Sequence, residues 1–168
     1  SLSGEVIETF GEDGLVQVID NYTTGKIGLY DMGISSTGEI YLVGMKDGPQ
    51  YQPYKGVIAK ITQQGVHDTS FGEDGFVLVE HGLVLGFHGI AFDGEKVVVA
   101  GSTRRDPVVS KDATDGGNNI SIYAARLFPD GRLDTTFAEN GESEVLIEKP
   151  VDSLGGLVIH DGYYYVSG

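Results

Sequence analysis

The chain has 168 residues, 40% of them hydrophobic, with 26 glycines and no cysteine. That content suits a packed globular core and excludes disulfides, thiolate zinc sites and cysteine nucleophiles. A formal net charge of −14, from 25 acids against 11 lysines and arginines, repels phosphate backbones and anionic lipid, so nucleic-acid binding is not expected, and no apolar run is long enough to span a bilayer, so membrane insertion is not expected either.

From the N-terminus onward, short segments rich in Val, Ile and Tyr alternate with Gly, Asp and Asn, the pattern of strands and turns. Strands are predicted at Leu15–Ile19, Gly28–Ile34, Glu39–Gly44 and Gly56–Ile61. A second set follows at Phe76–Glu80, Gly86–Phe92, Lys96–Gly101 and Ile120–Phe128, and a third at Glu144–Glu148, Leu154–His160 and Tyr163–Gly168. No segment has a helical period. Strands such as Lys96–Gly101, "KVVVAG", are apolar at every second and every first position alike, which implies burial of both faces.

The sets repeat. Phe10, Phe71 and Phe137 recur at roughly sixty-residue intervals, each preceded by a glycine (Gly4, Gly65, Gly131) and followed by another (Gly14, Gly75, Gly141). Downstream stand "YLVG" ending at Gly44, "VVAG" at Gly101 and "YVSG" at Gly168. Between them lie Gly33–Ile34, Gly89–Ile90 and Gly156–Leu157, a third matching landmark. Four-stranded units of this length predict an all-β fold, a β-propeller of about three blades with units 14–61, 75–128 and 141–168. The last unit lacks one strand. Propellers have four to eight blades, so the segment is expected to belong to a larger ring, with a homo-oligomeric ring as the alternative.

The recurring turn is Gly-x-x-Asp-Thr-[Ser/Thr]-Phe-Gly-x-x-Gly, as in "GVHDTSFGEDG" from Gly65 to Gly75. Asp68 and Asp134 are placed to accept the amide two residues on, as in Asx-turns, and the Phe carries apolar mass into a polar connection. It is expected to wedge between neighbouring units. A calcium loop is disfavoured, because the spacing is not that of an EF-hand and Ile7 and Asn140 replace acids in two of the copies.

"AKITQQGVHDTSFGEDG" and "AARLFPDGRLDTTFAENG" resemble the delta-sixty repeat family of bacterial secreted and surface proteins. The likeness rests on Ala125–Arg126–Leu127, the Asp-Thr-Phe turn and Val99–Ala100–Gly101, with a looser match at Ala59–Lys60–Ile61, and it runs through nearly the whole chain. It departs at Ile7–Glu8 and Ala138. The resemblance implies a β-propeller and implies no reaction.

No catalytic motif is present. The units differ most in the connections Met45–Lys55 and Ser102–Asn119, and variable loops on a repeated scaffold are where binding sites lie. Tyr51, Tyr54, Arg104 and Arg105 are the expected contacts for a protein or glycan ligand. Asp112, Asp115 and Asn118 offer oxygens to calcium. His67 and His160 read as turn residues, and His88 as a packed strand residue matching Met32 and Gly155 in the other units. The leading expectation is a non-catalytic binding module of a secreted or surface protein. The alternative is part of a propeller hydrolase with acids such as Asp31, Glu80 and Glu144 converging on a central channel.

Overall fold

The structure is a computed structural model that describes residues 3–18, 25–47, 53–104, 120–146 and 154–168. The described residues contain strands and no helix, and no helix long and apolar enough to cross a membrane. The first sheet joins β1 (Ile27–Ile34), β2 (Ile40–Lys46), β3 (Lys55–Ile61) and β4 (Phe76–Val79), in that order and antiparallel throughout. The second joins β5 (Val84–Asp93), β6 (Lys96–Arg104), β7 (Ile120–Leu127) and β8 (Glu142–Leu146) in the same manner. The third pairs β9 (Gly156–His160) with β10 (Tyr163–Ser167).

The grouping of strands is shifted by one from that expected. The strand after each turn motif, β4 or β8, pairs backwards with the strand before it, so the sheets divide after Val79 and Leu146 rather than at the motif. The motif is a tight connection within a sheet. Residues 15–18 correspond to the start of β4 and β8 but form only a bridge from Leu15 to Glu12. A strand needs a partner for its ladder, and β3 and β7 supply one to β4 and β8. Residues 15–18 have no such partner among the described residues.

Each sheet is laid against the next through its first strand. β5 packs on β1, β2 and β3, and β9 packs on β5 and β6. The alternation within "KVVVAG" is resolved by this stacking. Val97 and Val99 face the first sheet with Tyr41, Val43, Ile58 and Phe87, whereas Val98 and Ala100 face the third with Leu157, Tyr164 and Val166. Both faces of β6 are therefore core.

The first strands share a bulge. Tyr30 is the extra residue between Leu29, opposite Gly44, and Asp31, opposite Val43. His88 is the extra residue between Phe87, opposite Gly101, and Gly89, opposite Ala100. A bulge crowds the bulged backbone onto its partner strand. A Cβ at Gly44 would overlap the Gly28 carbonyl oxygen, and one at Gly101 would overlap that of Gly86. The glycines that end the first two of these landmarks, Gly44 and Gly101, are thus set by the bulges across from them. The same register corrects the middle landmark. Counted from Gly44 and Gly101, Gly89–Ile90 matches Asp31–Met32, and the counterpart of His88 is Tyr30, not Met32.

The turn motif builds the expected Asx-turns. Asp68 Oδ1 accepts the Ser70 amide at 3.1 Å, and Asp134 Oδ1 accepts the Thr136 amide at 3.1 Å. The remaining carboxylate oxygen takes a cation from the strand before the motif. Lys60 Nζ lies 2.8 Å from Asp68 Oδ2, and Arg126 Nε lies 2.8 Å from Asp134 Oδ2. Lys96 Nζ adds a second contact to Asp134 at 2.7 Å. These aspartates are fully engaged by the protein's own cations, as a structural turn requires. Phe71 is fully buried and meets Tyr41 edge-on at 5.6 Å, between the first two sheets. Successive motifs also touch: the Gly11 amide donates to Gln64 O, and the Gly72 amide to Asp130 O, each at the turn one unit on. Gly11 and Gly72 adopt left-handed backbone at these contacts, where Ala138 stands in the third copy with φ 42°.

Candidate binding face

The described ends of the two connections singled out by sequence lie at one end of the first two sheets. That end holds Ile27, Lys46 and Lys55 in the first sheet and Val84, Arg104 and Ile120 in the second. Tyr54 ties the two together through its backbone. Its amide donates to Leu83 O at 3.0 Å, and its carbonyl accepts the Leu85 amide at 3.0 Å. The Leu83 amide in turn donates to Arg104 O at 2.8 Å. Tyr54 and Arg104 are therefore held on one face by a continuous backbone network. Both side chains are exposed, Tyr54 at 40%. Arg104 borders a shallow cleft of about 230 Å³ with Ser102, Thr103 and Ile120. At the same end Lys46 is buried, and burial, with Lys55 opposite, lowers its ammonium below the ordinary lysine value. Tyr51, Arg105, Asp112, Asp115 and Asn118 lie outside the described residues.

A second cleft, of about 260 Å³, was not foreseen. His81, Tyr123, Glu139, Asn140, Glu142, Ser143 and Glu144 line it. His81 Nε2 pairs with Glu144 Oε2 at 3.0 Å, and the buried Tyr123 hydroxyl donates to Glu142. The two rings lie 4.6 Å apart. Burial raises the Tyr123 phenol well above its ordinary value, and the Glu142 carboxylate pushes it further. Thr103, buried, donates to His81 O at 2.7 Å and so joins the back of this cleft to the Arg104 edge. The signal for it in the sequence is the pair Glu142 and Glu144, two apart on one strand and hence on one face.

The acids named for a central channel have separate partners. Asp31 accepts the Ile90 amide at 3.1 Å, Glu80 pairs with Lys55 at 2.8 Å, and Glu144 pairs with His81. Among the described residues, no three His, Asp or Glu side chains are grouped so as to hold a metal ion. The His67 ring lies 5.2 Å from that of Phe76 beside the motif, and His160 is the exposed last residue of β9, a strand residue rather than the turn residue expected. No protein-family model matches the chain, and no curated protein matches it.

Proposed function

We propose that the chain is a run of β-propeller blades within a larger ring, acting as a non-catalytic binding module of a secreted or surface protein. The observation that carries this is the succession of β1, β5 and β9. Each is the first strand of its sheet, and each later one packs on the sheet before it. Sheets stacked through equivalent edge strands are the arrangement of blades around an axis. Equivalent connections then share a face, and that face is where Tyr54 and Arg104 stand. A tyrosine ring offers a stacking surface for a sugar or an apolar side chain. A guanidinium beside it offers paired donors to carboxylate or hydroxyl groups. The ligand is a protein or glycan that uses both. Tyr51 and Arg105, outside the described residues, are further contacts for that ligand in this reading, and Asp112, Asp115 and Asn118 are oxygen donors to a calcium ion.

The test is a glycan and protein-ligand screen with the unaltered chain, repeated with the double variant Tyr54→Ala, Arg104→Ala. A ligand that binds the first and not the second supports the reading. A ligand bound equally by both would move the site elsewhere. A melting temperature unchanged by millimolar calcium would remove the metal from the proposal.

A further inference from the structure

We propose that Asn140 is a modification site, where hydrolysis of its side-chain amide converts the third turn motif to the acidic form of the first two and adds a carboxylate to the His81 cleft. The three copies share one hairpin. Glu12 and Leu15, Glu73 and Phe76, and Glu139 and Glu142 exchange backbone bonds across two residues that are left-handed in every copy. Asp-Gly and Asn-Gly favour such a turn. The pair is Asp13–Gly14 and Asp74–Gly75 in the first two copies and Asn140–Gly141 in the third. Asn140 is the one asparagine of the chain that precedes a glycine. It is exposed and lines the cleft with Glu139, Glu142 and Glu144.

An asparagine before glycine is open to attack by its own backbone, because no Cβ crowds the glycine nitrogen. The Gly141 nitrogen bonds to Asn140 Cγ, the Cγ–Nδ2 bond breaks, and ammonia leaves with the proton that the Gly141 nitrogen gives up. Water then opens the five-membered ring. Cleavage between Cγ and the Gly141 nitrogen leaves aspartate. Cleavage at the Asn140 backbone carbon leaves the isomer with Cγ in the main chain. One water is consumed and one ammonia released.

In the closed turn this nitrogen is engaged. The Gly141 amide donates to Phe137 O at 2.7 Å, and the Arg126 amide donates to Gly141 O at 3.2 Å. Hydrolysis therefore proceeds from the open turn, at a rate set by the population of that form. The third copy carries strain that the others lack. Ala138 takes left-handed backbone, φ 42°, where Gly11 and Gly72 stand, and a residue with a Cβ is disfavoured there. The bonds across its turn are 3.1 and 3.2 Å, against 2.8 and 3.0 Å between Glu73 and Phe76 and 2.8 and 2.9 Å between Glu12 and Leu15. The acid product fits, since Asp13 and Asp74 hold the same place with φ 51° and 50°, against 56° at Asn140. The isomer does not, because its extra main-chain atom displaces Gly141 from Phe137 and Arg126.

Peptide mapping by mass spectrometry tests this, on the unaltered chain incubated at mildly alkaline pH with and without urea. In the folded chain Asn140 is expected to be the first asparagine converted, more slowly than in urea. Asn140→Gln, whose side chain has to close a larger ring, is expected to stay intact. Ala138→Gly is expected to slow the conversion severalfold in the folded chain and to leave it unchanged in urea. The left-handed strain it relieves outweighs the freedom glycine gains in the open turn. A folded chain that keeps Asn140 while the urea-treated chain loses it overturns the proposal. A rate in the folded chain that ignores Ala138→Gly overturns the route through the open turn. Asn140→Asp is expected to melt with the unaltered chain, and a clear drop overturns the claim that the turn accepts the acid. Strand content by circular dichroism checks that each variant folds.

Discussion

Tyr30 and His88 stack with ring centroids 4.8 Å apart and planes 7° from parallel. They are the bulge residues of β1 and β5, so one position of the repeat meets its own counterpart across a sheet boundary. Burial holds the His88 imidazole below its ordinary value. The unfolded chain takes up this proton near pH 6.5 and the folded chain only at lower pH. Between those points the unfolded state binds more protons, so stability falls as pH falls. His88→Phe keeps a ring for Tyr30 and removes the proton. The melting temperature of the unaltered chain is expected to drop between about pH 7 and pH 5, and that of the variant to drop less. Parallel profiles would assign the effect to other groups.

A second acid transition belongs to the turn motif. Hydrogen bonds from Lys60 and Ser70 hold the Asp68 carboxyl below its ordinary value, and those from Lys96 and Thr136, with Arg126, hold Asp134 far below. Both folded values are depressed. The stability they contribute is therefore complete above the unfolded carboxylate value near 3.9 and is lost as pH falls below it. Asp134→Asn removes the anion but leaves Arg126 and Lys96 facing each other. It is expected to lower the melting temperature at pH 7 and to flatten the profile below about pH 4. Arg126→Met tests the pair from the other side. If the two changes add in the double variant, the contact carries no coupling.

The sequence exposed the repeat through what is local: the Asx-turn, the buried Phe and the two-faced apolar strands all follow from neighbouring residues. What escaped is non-local. Nothing in "GFVLVE" says whether β4 pairs with the strand before or after the motif, and the structure places it on β3. The bulge residue is equally silent, since Tyr30 and His88 differ in size and charge. Matching the dipeptide Gly-Ile therefore slipped the alignment by two residues, until the sheet register tied Gly89 to Asp31. The partnership of Lys60 and Arg126 with the motif aspartates was visible only as the recurring basic residue in "AKI" and "ARL". Of the exposed positions at the Lys46 and Lys55 end, Tyr54 and Arg104 were singled out in the sequence, because loop variability is a sequence property. The His81 cleft was not, because its members come from the β4–β5 connection, β7, the turn motif before β8 and β8 itself.

Phe71 measures how much the motif contributes to packing. It is fully buried against Tyr41, in one apolar cluster with Leu85, Val97 and Leu127, side chains of two sheets. Truncating a buried Phe to Ala leaves a cavity that costs about 3–5 kcal/mol. Phe71→Ala is expected to reach that range in denaturant titration. Phe137, which is only partly buried against Tyr164 and Arg126, is expected to cost less. Equal losses would mean that the two copies pack alike and that the second is covered by more than the described residues.

Gly101 and Gly155 separate the effect of the bulge from that of glycine itself. At Gly101 a methyl group would enter the carbonyl oxygen of Gly86, with the Phe87 Cα 2.9 Å away. Backbone on a paired strand cannot step aside as a side chain does, so overpacking here costs about 1–3 kcal/mol. Gly155 stands in the third sheet where Tyr30 and His88 stand in the others, one residue before Gly156, which is opposite Ser167. A methyl group there meets only the Ser167 side chain, at 3.3 Å, and the backbone is not left-handed. Gly155→Ala is therefore expected to be neutral, or to stabilise by up to about 1 kcal/mol through the lost freedom of the unfolded chain. Thermal melts of the two variants should fall on opposite sides of the unaltered chain, or at least far apart. Equal destabilisation would mean that the third sheet does not share the geometry of the first two.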